Sequence, residues 1–203
     1  MAIIFPISLN DFQEILTIER RGFYLNSPFE ISQKKNGEIL KASLGDPLWV
    51  GDFSVDFTTD MSLAAKQNVL LNILERPSSS FFVYDPAKPF PFSDFDGTIL
   101  SGYSPTIRLL DSVDNRLVAF KNLPSDFQLK AGDYFSIEFT LGGETRYSLH
   151  QIAEDVSSDG FGETALVEVS PFIRYGTSVG DSVNFVKPVM KAVIASKIVT
   201  GKQ

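Results

Sequence analysis

Residues 131–174 read AGDYFSIEFTLGGETRYSLHQIAEDVSSDGFGETALVEVSPFIR. The stretch holds three runs dense in Phe, Ile, Tyr, Thr and Val, parted by glycine turns, and none has the 3.6-residue apolar period of a helix. Aromatic and β-branched side chains fit a pleated, half-buried surface. The second half of the chain is therefore expected to be all β. Around this stretch, segments 106–110, 117–120, 134–141, 146–153, 165–170 and 182–186 have strand character, and Pro124 turns the chain within 122–127. Six short strands at this spacing predict a small barrel or sandwich.

Towards the N terminus the pattern changes. Residues 48–57 alternate, with Trp49, Phe53, Val55 and Phe57 on one side (Gly51 among them) and Asp52, Ser54 and Asp56 on the other, the mark of a half-buried strand. A helix is expected over 60–76, capped by Thr59 or Asp60 and stopped by Pro77, with Leu63, Leu70 and Leu74 on a stripe widened by Ile73. Burying each large side chain of such a stripe stabilises by about 1.5–3 kcal/mol, so the helix is expected to lie across a sheet. Residues 8–16 predict a short helix capped by Ser8 with Asp11 in its first turn, and 17–25 and 80–84 predict strands. Segments 29–33 and 38–43 flank Lys34-Lys35-Asn36-Gly37. Asn36-Gly37 predicts a projecting hairpin with positive φ at both central positions.

Between 85 and 105, Pro86, Pro89 and Pro91 alternate with Phe90 and Phe92, and Gly97 and Gly102 follow, which predicts a linker. Pro188 opens a final strand at 189–195, expected to rejoin the N-terminal part. The expected class is mainly β (α+β): an N-terminal β-sandwich-like domain with one main helix, plus a small β-barrel-like module. The expected division is 1–90 with 187–203, a linker at 91–105, and an inserted module at 106–186.

A chain of 203 residues can bury one sizeable core or two modest ones. A net charge of −7 and a pI near 4.7 argue against a surface that grips nucleic acid, while an acidic lining past which DNA slides stays compatible. With no cysteine, disulfides, thiolate metal sites and a cysteine nucleophile are excluded, in keeping with a reducing cytoplasm. The opening MAIIFPISLNDF has no basic n-region and predicts no signal peptide. No apolar run approaches the roughly 20 residues that span a bilayer, so no membrane partner is expected.

Asp94-Phe95-Asp96-Gly97-Thr98 resembles the first motif of the haloacid dehalogenase phosphohydrolases, which implies a nucleophile at Asp94, a general acid/base at Asp96 and magnesium between them. That motif needs a buried parallel strand before it and a helix after it. Here Pro89-Phe90-Pro91-Phe92-Ser93 precedes it and strands follow, so a turn is the expected role. His150 stands between Leu149 and Gln151 without cysteines or a second histidine to share a metal, and no GxSxG elbow presents a serine to it; packing is expected. Asp155, Asp159 and Gly160-Phe161-Gly162 lack the ligand ladder of a calcium loop and read as a turn. No catalytic residue, metal or cofactor is expected.

Longer phrases carry a second resemblance. SSFFVYDPAKPFPFSDFDGTIL (79–100), LPSDFQLKAGDYFSI (123–137) and RYSLHQIAEDVSSDGFGETALVEVSPFIR (146–174) occur in one order with FPISLNDF, LWVGDFSVDF and KPVMKAVI. Together they resemble the distal tail protein-like family of siphophages, alphaproteobacterial prophages and gene transfer agents. The resemblance implies a non-enzymatic virion protein: a ring, six-fold, that joins the tail tube to the baseplate hub at the tail tip. It implies assembly in the bacterial host cytoplasm and DNA passing through the lumen without specific binding. Phe29, Ile31, Ile39 and Leu40 of the hairpin are the candidate seam between copies, with packing inside one chain as the alternative. Another tail component, a tube or hub subunit, is the rival of the same class. A carbohydrate-binding module that contacts glycans through Tyr103, Phe161 and Tyr175 is the rival of another.

Overall fold

Antiparallel pairing of six strands closes a barrel around one of the two main cores. The computed structural model describes residues 3–13, 15–56 and 58–196, so Glu14, Phe57 and residues 197–203, all included in the expectations above, lie outside the described residues. In chain order the elements are β1 (Thr17–Asn26), β2 (Phe29–Gln33), β3 (Ile39–Ser43), β4 (Leu48–Asp56), α1 (Met61–Leu74), β5 (Phe81–Val83), β6 (Thr106–Leu110) and β7 (Leu117–Lys121). There follow β8 (Gln128–Leu129), β9 (Tyr134–Leu141), β10 (Glu144–Ile152), β11 (Val156–Ser157), β12 (Val167–Ser170), β13 (Ser182–Asn184) and β14 (Met190–Ala192). Among the described residues the protein is mainly β with one helix, in line with the expected class.

Six strands close the barrel in the order β10-β12-β7-β6-β13-β9, antiparallel at every neighbouring pair. Phe135, Ile137 and Phe139 of β9 point inward to meet Ile107, Val118, Phe120, Val167 and Phe185. Phe120, Phe135 and Phe185 pack as a trio, with centroids 5.0 Å, 5.3 Å and 5.6 Å apart. Leu123, Phe127 and Leu129 join the same core from the turns between β7 and β9, beside the small β8–β11 pair.

A second core gathers Ile7, Phe12, Leu16, Leu70, Leu71, Leu74, Phe81 and Val83. Asp60 caps α1, accepting the Ser62 and Leu63 amides at 2.8 Å and 3.3 Å, which satisfies two of the donors a helix start leaves free. Its buried stripe holds Leu70, Leu71, Ile73 and Leu74, Leu63 is half-buried, and a polar residue joins them. Gln67 is fully buried and its amide donates to the Ile15 carbonyl at 3.1 Å. β14 pairs antiparallel with β5, Met190 opposite Val83, and Ile7 bridges the other side of β5 at Phe81.

Residues 8–16 do not form the expected helix. The described residues make turns: Ser8 Oγ caps the Asp11 amide, and isolated helix-like bonds run from Gln13 to Leu9 and from Leu16 to Phe12. A single turn closes too few hydrogen bonds to propagate, and packing of Phe12 and Leu16 into the second core holds the chain instead.

The proline-rich stretch 91–105 has no strand but is tied to its surroundings. Asp133 Oδ1 accepts the Phe92 amide at 2.8 Å, and Leu100 is buried in the barrel core. A third cluster joins the two cores. Phe23 stacks on Trp49 at 5.2 Å, both meet the edge of Tyr134, and Leu149 lies with them. The Trp49 indole donates to the Leu149 carbonyl at 2.8 Å, and Arg174 reaches across to Asp46 at 2.8 Å.

Candidate functional site

From Thr17 to Asp56 the chain is one antiparallel ribbon. β1 pairs β4 from Thr17↔Asp56 to Asn26↔Leu48, and β2 pairs β3 from Phe29↔Ser43 to Gln33↔Ile39. The Leu44 amide donates to Pro28 at 3.0 Å across the joint between the two parts. Only the base of the ribbon is covered: Phe23, Trp49 and Phe53 lie against the barrel, and Ile18, Phe53 and Val55 lie on the second core. Among the described residues neither β1 nor β4 pairs on its outer edge, which leaves two long rows of backbone donors and acceptors open.

Every residue of β2 and β3 is exposed. Phe29 is 46% exposed, Ile31 58%, Ile39 66% and Leu40 43%, and Leu44 and Leu48 at the joint stand out at 66% and 63%. Packing inside one chain, the alternative for the four hairpin residues, is therefore not what buries them in the monomer. The register divides them. Phe29, Ile31 and Ile39 share one face with Lys41, while Leu40 and Ala42 lie on the other, because directly paired residues project to the same side. Lys41 sits 3.8 Å from the centroid of the Phe29 ring.

The turn differs from expectation in one respect. Gly37 takes positive φ (84°) and Asn36 does not. The Gly37 amide donates to Lys34 and the Lys34 amide to Glu38, both at 2.9 Å, and the Asn36 side chain accepts the Glu38 amide at 3.1 Å. This is a three-residue loop, 35–37, closed by the Lys34–Glu38 pair with glycine at its left-handed last position, and Asn36 contributes its side-chain oxygen rather than its backbone freedom.

The acidic turn of 94–98 is structural. Asp94 is fully buried, its two oxygens accepting the Ile99 and Leu100 amides at 3.1 Å and 2.9 Å. Asp96 is a surface residue that binds the Thr98 hydroxyl and amide at 2.7 Å and 3.1 Å, bonds that hold its carboxyl below the usual range. Both Asp94 oxygens are engaged by backbone amides of the same turn. Asp94→Ala is expected to destabilise the protein by about 2–3 kcal/mol, since two amides lose a charged acceptor, and Asp94→Asn by about half of that. Urea denaturation midpoints measure both, and an unchanged midpoint in the alanine variant would contradict this role.

His150 is fully buried inside the barrel wall. Nδ1 donates to the Pro171 carbonyl at 2.9 Å, Nε2 accepts from the Ser148 hydroxyl at 2.8 Å, and the ring stacks on Phe135. Burial pulls its pKa down to about 4. Asp155 accepts the Ala131 amide and pairs with Lys130, whereas Asp159 accepts the Phe161 and Glu163 amides, so the two carboxylates serve separate turns. Gly162 in that turn has φ 77°, and a Cβ there would lie 2.1 Å from the Leu123 carbonyl oxygen.

Tyr103, Phe161 and Tyr175 are 48%, 91% and 89% exposed. They do not converge. Asn122 reaches Ser104 and Leu123 binds Gly162, which puts Tyr103 and Phe161 at the barrel end where β6 begins and β7 finishes. Tyr175 precedes Gly176, which abuts Leu141 where β9 finishes, at the opposite end. Among the described residues no group of three or more His, Asp or Glu side chains is placed to hold a metal, and no helix is long and apolar enough to cross a membrane.

No protein-family description matches the chain, and no curated protein matches its sequence.

Proposed function

We propose that this chain is a non-enzymatic structural subunit of a phage or phage-like particle tail, which closes with copies of itself into a ring between tail tube and baseplate hub. The observation that carries the reading is the Thr17–Asp56 ribbon, with open edges on both long strands and apolar side chains on both faces of its tip. An isolated two-stranded hairpin is marginal in water. Long unpaired edges also invite other strands, so this arrangement suits a protein whose folded partner is another copy. The ordered sequence phrases that resemble those of distal tail proteins suggest the rest: six-fold closure, tube on one side, hub on the other, DNA passing through the lumen, and a place at the virion tail tip after assembly in the host cytoplasm. The function is geometric, and no bond is made or broken.

Mass measurement and negative-stain microscopy of the purified protein test it. Closed rings one or two layers deep are the expected result. Long open cylinders would assign the chain to the tube instead, and a monomer at every concentration would overturn the reading. Ile31→Asp with Ile39→Asp is expected to leave the monomer's stability within about 0.5 kcal/mol, because both side chains are exposed. The same pair is expected to weaken self-association at least tenfold, read by sedimentation over a concentration series.

The separation of Tyr175 from Tyr103 and Phe161 favours no single glycan platform among these three.

A further inference from the structure

The loop of the hairpin carries a reactive pair. Asn36 is the one asparagine of the sequence that precedes a glycine. An asparagine carboxamide can close on the next backbone nitrogen as a five-membered ring, and glycine is the residue that leaves this nitrogen without a side chain to shield it. Asn36 and Gly37 are both exposed, and a Cβ at Gly37 would meet no group beyond its chain neighbours within 4 Å. The pair is open to water.

The loop activates one partner and restrains the other. The Glu38 amide donates to the Asn36 side-chain oxygen at 3.1 Å. That bond draws charge from the carboxamide carbon and is already in place for the oxygen as it becomes an oxyanion, so the carbon is readied for attack. The Gly37 amide, which is the attacking group, is engaged by the Lys34 carbonyl at 2.9 Å. An amide held in this way gives up its proton less readily, and attack waits until the bond opens. Lys34 closes the base of the loop twice, its amide on the Glu38 carbonyl and its ammonium on the Glu38 carboxylate, both at 2.9 Å. Exposed tips lie at the low end of local stability, where single backbone bonds open without global unfolding.

We propose that Asn36 is a site of spontaneous deamidation, gated by the Gly37–Lys34 hydrogen bond. With that bond open, the Gly37 nitrogen loses its proton to water or hydroxide and attacks the Asn36 carboxamide carbon. The new C–N bond closes a succinimide. The bond from that carbon to the side-chain nitrogen breaks, and the nitrogen takes up a proton and leaves as ammonia. Water then opens the ring at either carbonyl, leaving aspartate or isoaspartate at position 36. One water enters, one ammonia departs, and no electrons change hands. Either product sets a carboxylate beside Lys34 and Lys35. Isoaspartate also adds a carbon to the backbone of a loop whose length fixes the register of β2 on β3, and so reaches Phe29, Ile31, Ile39 and Leu40. The chemistry needs only a single chain and does not rest on the assembly reading above.

Full-length protein is aged at mildly alkaline pH, folded in buffer and unfolded in guanidinium chloride. Peptide mapping by mass spectrometry locates each converted asparagine, and labelling by an isoaspartyl methyltransferase identifies the isoaspartate. In the folded protein Asn36 is expected to react ahead of every other asparagine. It is expected to react at least about twofold more slowly there than in denaturant, the smallest factor that one net hydrogen bond sets. Asn36→Gln, whose longer side chain would have to close a less favourable six-membered ring, is expected to leave the tip unconverted. An Asn36 that stays intact in the folded protein while it converts in denaturant would overturn the site, as would another asparagine reacting first. A folded rate within about twofold of the denatured rate, or above it, would overturn the gate.

Discussion

Phe135→Ala is expected to cost about 3–5 kcal/mol of folding free energy, a large share of the 5–15 kcal/mol that ordinarily separates a native domain from its unfolded chain. The ring is fully buried, lies 5.0 Å from Phe120 and 5.6 Å from Phe185, and stacks at 5.3 Å on His150. Truncation removes the transfer energy of the ring and leaves a void. The barrel is closed by hydrogen bonds between strands on all sides and cannot collapse to fill it. Urea unfolding followed by far-UV and aromatic signals gives the number. A loss under about 1 kcal/mol would show that this barrel is not packed around the Phe120–Phe135–Phe185 trio.

Acid is expected to remove about 3 kcal/mol through a single imidazole. His150 has a pKa of about 4 in the folded protein against about 6.5 in an unfolded chain. The unfolded state therefore takes up the proton first. The contribution of the neutral ring is complete above about pH 6.5, declines as pH falls from there to about 4, and is gone below that. Desolvation acts first and lowers the pKa, the Pro171 carbonyl that accepts from Nδ1 opposes it, and the Arg174 guanidinium disfavours a second cation. Asp133, whose carboxyl burial pushes upward, gains a proton more readily when folded and so works in the opposite sense over its own range. Comparing wild type with His150→Gln isolates the imidazole. Free energies of unfolding at pH 7, 5.5 and 4.5 should fall in the wild type and run nearly flat through this interval in the variant. Parallel curves would show that His150 does not titrate across folding.

Much of the architecture was legible in the chain because it follows from near-neighbour spacing. Runs dense in aromatic and β-branched residues between turn signals marked the six barrel strands, and the helix stop at Pro77 and cap at Asp60 placed α1 to within two residues. Where reading failed, the deciding partner was distant. Gln67 sits on the buried stripe because the Ile15 carbonyl, 52 residues away, accepts its amide. Asp94 looked like a surface turn, yet burial of Leu100 draws it inside. Residues 8–16 carry helix-capping signals, which are local, whereas the anchoring of Phe12 and Leu16 in the second core is not.

The candidate seam shows the same boundary. The Asn36-Gly37 signal located the hairpin, but hairpin register alone divides Phe29, Ile31 and Ile39 from Leu40. Only the fold leaves all four in water. Residue order determined which segments are strands, where they turn and which residues alternate, because those depend on backbone sterics and side-chain period. The tertiary structure decided which apolar faces are covered, as when Trp49 finds the Leu149 carbonyl a hundred residues on. Burial is a property of surfaces brought together across the chain, and no local pattern records which surface a given face will meet or whether it meets one at all.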